Sequence, residues 1–194
     1  MESEHDVGRS EATNRIDVKF HDRESAVDMK TLSLLRHAKS SWKDISLQDR
    51  DRPLNRRGQR DAPVMAERIK QAGIRPSLIL SSPATRAWTT AKAIAHEIGY
   101  PLEFLQQEDL LYHASIRNIL KVIAEQDEGF NNLMIVGHNP GLTEFANQLH
   151  PGLTDNIPTC GFVSFEIDCE DWNLDRDADI NLLVYDYPKR AATA

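Results

Sequence analysis

Residues 132–139, Asn-Leu-Met-Ile-Val-Gly-His-Asn, carry four consecutive apolar side chains that stop at a Gly-His pair. A short continuous apolar run of this kind reads as a strand buried on both faces. Two earlier stretches share the pattern. Leu32, Leu34 and Leu35 lead into Arg36-His37, and Leu78-Ile79-Leu80 leads into Ser81-Ser82-Pro83-Ala84-Thr85-Arg86.

Helical spacing fills the gaps between these runs. Ala62, Met65, Ala66 and Ile69 fall on one face, with Gly73 as the stop. Ala87, Ala91, Ile94, Ala95 and Ile98 line a second helix, which Gly99 ends. Ile116, Ile119, Leu120 and Ile123 line a third, with Ser115 as its N-cap. Leu142, Phe145, Ala146 and Leu149 mark a short fourth helix, and two late strands are expected near Phe162–Ile167 and Asn181–Tyr185. This alternation predicts an α/β three-layer sandwich, a mostly parallel central sheet with helices on both faces.

The 194 residues suit one ordinary domain with a substantial core. Residues 1–28 lack apolar periodicity and read as a disordered tail ahead of a domain spanning 29–190. The tail is acidic and has no apolar h-region, so it reads neither as a secretory signal nor as an Arg-rich transit peptide. No apolar run approaches the ~20 residues that span a bilayer. A formal net charge of −7 argues against a nucleic-acid binder. Cys160 and Cys169 form no CxxC pair and read as free thiols, which points to a reducing, cytoplasmic setting.

In open α/β sheets, ligands bind beyond the carboxyl ends of the strands. Arg36 and His37, Arg86, and His138 therefore form the candidate site, because each follows a buried strand or opens the next helix. Alone, any one of them reads more simply as a structural histidine or a surface arginine. His5, His21, His96 and His150 lack the strand-end context, and His113 is intermediate. Zinc on His37 and His138 is the competing reading, but nearby Cys or carboxylate ligands are missing, so neither metal nor cofactor is expected.

The blocks LLRHAKSSW (34–42), LSSPATRAWTTA (80–91) and MIVGHNPGL (134–142) resemble the histidine phosphatase superfamily, which includes the phosphoglycerate mutases. Ala38 stands where that family's Arg-His-Gly signature has Gly. Arg-His-Ala-Lys-Ser, RPLNRRGQRDA (52–62) and PTCGFVSFEID (158–168) are similar to its SixA-type phosphohistidine phosphatase branch. The resemblance covers about residues 30–188. It implies a phosphoglycerate mutase-like fold, His37 as nucleophile, and Arg36, Arg86 and His138 around the phosphoryl oxygens. His138 would donate as an imidazolium or as a neutral N–H. Lys39 and Trp42, just beyond the nucleophile, either shape the pocket mouth or sit on a solvated loop, with Lys39 a candidate substrate contact. Asp49, Asp51, Arg52 and Asn55 fall in a loop that either meets substrate or sets geometry before the next helix.

The resemblance also exposes a departure. Mutase-type relatives place an acidic proton donor near the position of Tyr112, and acid phosphatases place one where this chain has Asn139. Glu108 and Asp109 are the remaining nearby carboxyls, and a functional acid at Glu108, Asp109 or Tyr112 would favour an ester substrate. An imidazole leaving group, with a pKa of about 6.5, needs far less protonation than an alkoxide. The expected activity is therefore hydrolysis of phosphohistidine on a protein, through a covalent phosphohistidine at His37. A phosphatase of small phosphate esters such as sugar phosphates is the alternative, and a non-catalytic phosphate-binding module the third. Neither a nucleic acid nor a membrane is expected as partner.

Overall fold

A computed structural model of the protein describes residues 29–174 and 178–190. The expected tail, residues 1–28, lies outside the described residues. Chain order runs β1 (Met29–Arg36), α1 (Arg56–Gln71), β2 (Leu78–Ser81), α2 (Thr85–Ile98), β3 (Gln106–Gln107) and α3 (Ile116–Ala124). It continues with β4 (Asn132–Gly137), α4 (Gly141–Leu149), β5 (Phe162–Asp168) and β6 (Ile180–Asp186). Short 3-10 turns sit at Asp49–Asp51, Leu102–Phe104 and Asp109–Leu111.

The six strands form one sheet in the order β3-β2-β4-β1-β5-β6. The first four pair in parallel, while β5 and β6 run antiparallel along one edge. The parallel part is what the buried apolar runs require, since crossover helices cover both faces. Alternation along each strand sorts the side chains. Leu32 and Leu34 of β1 and Leu133 and Ile135 of β4 pack with Ile119, Val122, Leu142 and Phe145, from α3 and α4. Leu35, Met134 and Val136 point the other way, to Met65, Ile69, Ala91 and Ile94 of α1 and α2. Two cores thus flank one sheet, giving the three-layer α/β sandwich. Each fully buried Leu, Ile or Phe contributes about 1.5–3 kcal/mol of hydrophobic stabilisation.

The helix ends follow their sequence signals. Asn55 caps α1 by accepting from the Gly58 N–H, and Ser115 caps α3 by accepting from the Asn118 N–H. Gly99 ends α2 in a left-handed conformation, φ 74°, that a side chain would strain. The antiparallel β5–β6 edge has no specific signal in the sequence. Its short connection simply lacks room for a crossover helix.

Candidate active site

The parallel register does the first part of the construction. Arg36 of β1 is paired with Gly137 of β4, so His37 and His138 each stand one residue past a matched pair. The His37 N–H donates to the Gly137 carbonyl at 3.0 Å, and the two imidazole rings lie 5.0 Å apart. On the other side of β4, the Ser82 N–H donates to the Val136 carbonyl, and the chain turns through Pro83 into α2. Arg86, in the first turn of α2, is only 3% exposed and reaches both histidines. Its Nε donates to His37 Nε2 and its Nη2 lies against His138 Nδ1, each at 3.4 Å.

These contacts define the state of His37. Its Nδ1 donates to the Ala38 carbonyl at 2.7 Å, which leaves the Nε2 lone pair facing Arg86. Burial lowers the His37 pKa from 6.5 to about 3, helped by the Arg86 and Arg36 charges against the opposing effect of the Ala38 bond. A neutral imidazole with a fixed tautomer and an unprotonated Nε2, met only by a long 3.4 Å contact from Arg86, is a competent nucleophile. His138 is pushed down to about 2, by burial first and then by His37 and Arg86. Its Nε2 pairs with Ser82 Oγ at 2.7 Å. Of the two forms expected from the sequence, the neutral ring is the one this burial favours over the imidazolium.

Arg36 approaches from the edge opposite Arg86. Its Nη1 donates to the Ile157 carbonyl at 2.6 Å, and the Asn139 amide donates to the same carbonyl at 3.1 Å. Arg36 Nε and Asn139 Oδ1 are both buried without a hydrogen-bond partner. A buried donor and a buried acceptor left unpaired are costly unless a ligand meets them.

The fourth wall comes from a loop. Asp49 inserts its carboxylate between two arginines, with Oδ2 2.8 Å from Arg86 Nη2 and Oδ1 2.7 Å from Arg52 Nη1. Tyr112 Oη donates to Oδ2 at 2.9 Å, and His113 Nε2 lies 3.2 Å from the same oxygen. The main-chain carbonyl of Asp49 accepts from Arg86 Nη1. Desolvation would raise the Asp49 pKa, but hydrogen bonds from Tyr112, Arg52, His113 and Arg86 together hold it well below the usual carboxylate range. Tyr112 shifts upward, through burial and then its bond to Asp49, and keeps its proton. Arg52 is itself fixed by Ser40 Oγ, by the Ser41 carbonyl and by stacking on Trp42 at 3.2 Å.

The remaining expected residues are distributed around this cluster. Lys39 does not join it. Its carbonyl accepts from the Asn55 N–H, Gly58 of α1 packs so closely on its backbone that a Cβ there would clash, and Lys39 lines a surface depression with Trp42 and Lys43. Ala38, in place of Gly, is fully buried among the α1 and α2 side chains, and its N–H donates to Thr90 Oγ1. The two carboxyls considered as acids lie elsewhere. Glu108 accepts from the Leu110 N–H at its own 3-10 turn, and Asp109 is an exposed partner of Arg50. Asp49, Tyr112 and His113 lie beside Arg86 and His138 instead. His113 stacks on His138 at 5.2 Å and holds a strained φ of 50°. The sequence hinted at this through Tyr112 at the family's acid position, Asp49 in a polar loop and the intermediate standing of His113. Among the described residues, no three His, Cys, Asp or Glu side chains gather as a metal site, and no helix is long and apolar enough to cross a membrane.

Known proteins resemble this chain in sequence and fold. The model of the Histidine phosphatase superfamily (branch 1) matches residues 32–110. An uncharacterized chloroplastic protein of Arabidopsis thaliana is 35% identical over 139 residues, 66% of this chain. The match spans 62% of that relative's length. An uncharacterized protein of Picosynechococcus is 30% identical over 138 residues, covering 68% of this chain and 82% of its own. A crystal structure from Agrobacterium tumefaciens, assigned to the phosphohistidine phosphatase SixA, superposes with a TM-score of 0.66 at 31% identity. That superposition covers 80% of this chain and 96% of the other. With its strand-end histidines, its buried arginines and these relatives, the chain belongs to the histidine phosphatase superfamily.

Proposed function

We propose that the protein hydrolyses phosphohistidine on a protein substrate and that His37 carries the phosphoryl group between two half-reactions. In the first, His37 Nε2 attacks phosphorus, the P–N bond of the substrate breaks, and the departing imidazole takes up a proton. In the second, water attacks the same phosphorus, the P–Nε2 bond to His37 breaks, and phosphate leaves as the water proton is released. Arg36, Arg86 and His138 hold the phosphoryl oxygens, where positioning and electrostatic stabilisation supply most of the catalysis. Lys39 contacts the substrate at the mouth. A phosphoryl group beside His138 would favour its protonated form.

The observation that carries the reading is Asp49. Its carboxyl, bonded to the same Arg86 that meets His37, is held ionised by Arg86, Arg52, Tyr112 and His113, so it brings no proton to a leaving group. A site without a protonated carboxyl favours imidazole over alkoxide departure, since general acid help is typically worth about 10²–10⁴-fold. No metal or other cofactor enters this scheme. The free thiols of Cys160 and Cys169 fit a reducing compartment such as the cytoplasm.

A phosphatase of small phosphate esters is the second reading, and one feature favours it. The Tyr112 hydroxyl and the His113 ring both lie at Asp49, where either is a possible proton donor. Side-by-side kcat/KM values for a phosphohistidine peptide, p-nitrophenyl phosphate and a sugar phosphate decide between the two. The expected order is phosphohistidine, then the aryl ester, then the sugar phosphate. Sugar-phosphate turnover at or above phosphohistidine turnover, lost in Tyr112→Phe or His113→Ala, would reverse the assignment.

A further inference from the structure

Between Arg36 and Arg60 the chain carries eight Lys or Arg against three Asp, inside a protein of net charge −7. Several of these cations are spent locally. Arg36 and Arg52 turn into the active site, Arg50 pairs with Asp109, and Arg57 and Arg60 pair with Asp61. Lys39, Lys43 and Arg56 have no acidic partner among the described residues. Two surface depressions meet at Lys43. One, of about 390 Å³, is lined by Ser41, Lys43, Leu54, Asn55, Arg56 and Arg57. The other, of about 380 Å³, is lined by Lys39, Ser40, Trp42, Lys43 and Asn55.

This rim adjoins the catalytic pocket directly. Ser40 Oγ accepts from Arg52 Nη2 at 2.6 Å, and Arg52 in turn grips Asp49 beside Arg86. Trp42, 69% exposed, lies on Arg52, and Ile45, three residues on in the chain, is almost wholly exposed. Of the two acids on the outer loop, Asp44 is occupied by the Ser46 N–H and hydroxyl, and Asp51 lies on the 3-10 turn.

We propose that this rim docks an acidic segment of the phosphorylated protein, with Lys43 and Arg56 meeting its carboxylates and Trp42 its apolar side chains. The inference rests on the phosphohistidine reading and extends it from the phosphoryl group to the surrounding polypeptide. Two physical facts favour an acidic peptide. The Debye length is about 8 Å at physiological salt, so the rim's own cations outweigh the distant acidic surface. None of the side chains proposed to hold the phosphoryl group lines the depression beside Arg56, so a small phosphate ester held by them gains nothing there, whereas a longer peptide has further groups to place in it. A long nucleic acid would meet the acidic remainder of the protein beyond the rim.

The test uses two synthetic phosphohistidine peptides of equal length, one with Asp/Glu flanks and one with Asn/Gln flanks, and phosphoramidate as the small substrate. In the wild-type protein, the acidic peptide should exceed the neutral one about tenfold in kcat/KM, mainly through KM, and 0.5 M NaCl should close most of the gap. The double variant Lys43→Glu/Arg56→Glu should lose the gap and hydrolyse phosphoramidate at the wild-type rate. Equal kcat/KM for the two peptides, a gap that survives the double variant, or a parallel loss of phosphoramidate activity would each overturn the docking surface. If the wild-type protein hydrolyses neither peptide nor phosphoramidate, the phosphohistidine reading itself fails. Anisotropy of a labelled, unphosphorylated acidic peptide then tests the surface separately. Binding weakened by the double variant supports it, and charge-independent binding, or tighter binding of a single-stranded oligonucleotide, overturns it.

Discussion

The site has two halves built by different means. His37, Arg86 and His138 stand at strand ends or one turn into a helix, where the parallel ladder fixes their backbones. Asp49 and Arg52 belong to the loop between β1 and α1, and side-chain bonds hold them there. In the proposed reaction the strand-end half supplies the nucleophile and the donors. The loop half sets an ionised carboxylate against the same guanidinium that a phosphoryl oxygen would use. Positioning and charge control are thereby separated: one follows from the sheet, and the other from a loop outside it.

The sharpest way to break this division is at the nucleophile. His37→Ala should abolish turnover while circular dichroism shows a folded protein, and acid-labile, base-stable phosphate should be trapped on wild-type His37 alone. An active His37→Ala variant would remove the strand-end half from the chemistry. Next in size, Arg86→Ala and His138→Ala should each lower kcat about 10²–10³-fold, the cost of a single preorganised donor, about 2.7–4 kcal/mol. Near wild-type rates in either would show that the pocket lies elsewhere.

The loop half should respond less and with a different signature. Asp49→Asn removes the charge that competes for Arg86, so inhibition by inorganic phosphate should strengthen about tenfold, or about 1.4 kcal/mol, while kcat falls as Arg86 loses its anchor. An unchanged inhibition constant would show that Asp49 does not face the phosphoryl position.

A smaller effect separates the halves by pH. Burial depresses His37 from 6.5 to about 3 in the folded protein. The unfolded chain therefore binds the extra proton first, and the stability tied to neutral His37 is complete above pH 6.5 and lost as pH falls toward 3. Melting temperature should decline across that window, each kcal/mol reading as about 2–4 °C. The decline should be shallower in His37→Asn, and an identical slope would count against the buried neutral ring. The smallest effect is expected outside both halves. Removal of residues 1–28, too poor in apolar periodicity to join a core, should leave melting temperature and kcat/KM unchanged within error. A large drop would show that this segment packs on the domain.

Much of the strand-end half was legible in the amino-acid order. Apolar runs such as Leu133–Val136 stop at Gly137 and His138, and a buried strand with a polar end announces itself locally. The loop half was not legible in that way. Asp49 stands in the run Gln-Asp-Arg-Asp-Arg, where any acid or base reads as solvated surface. Glu108 and Asp109 looked equally suitable as acids. Their side chains were diverted by a backbone N–H two residues on and by Arg50, contacts that composition does not mark.

By itself, the sequence determined the element types, the α/β layering and the identity of the chemical groups at the strand ends, because hydrophobic periodicity and turn residues act over a few positions. Tertiary structure alone decided the strand order that sets His37 beside His138, the antiparallel edge, the capture of Asp49 by Arg86, and the neutral state of both histidines. Those outcomes join residues dozens of positions apart and depend on how much water each group loses, which only the packed chain defines.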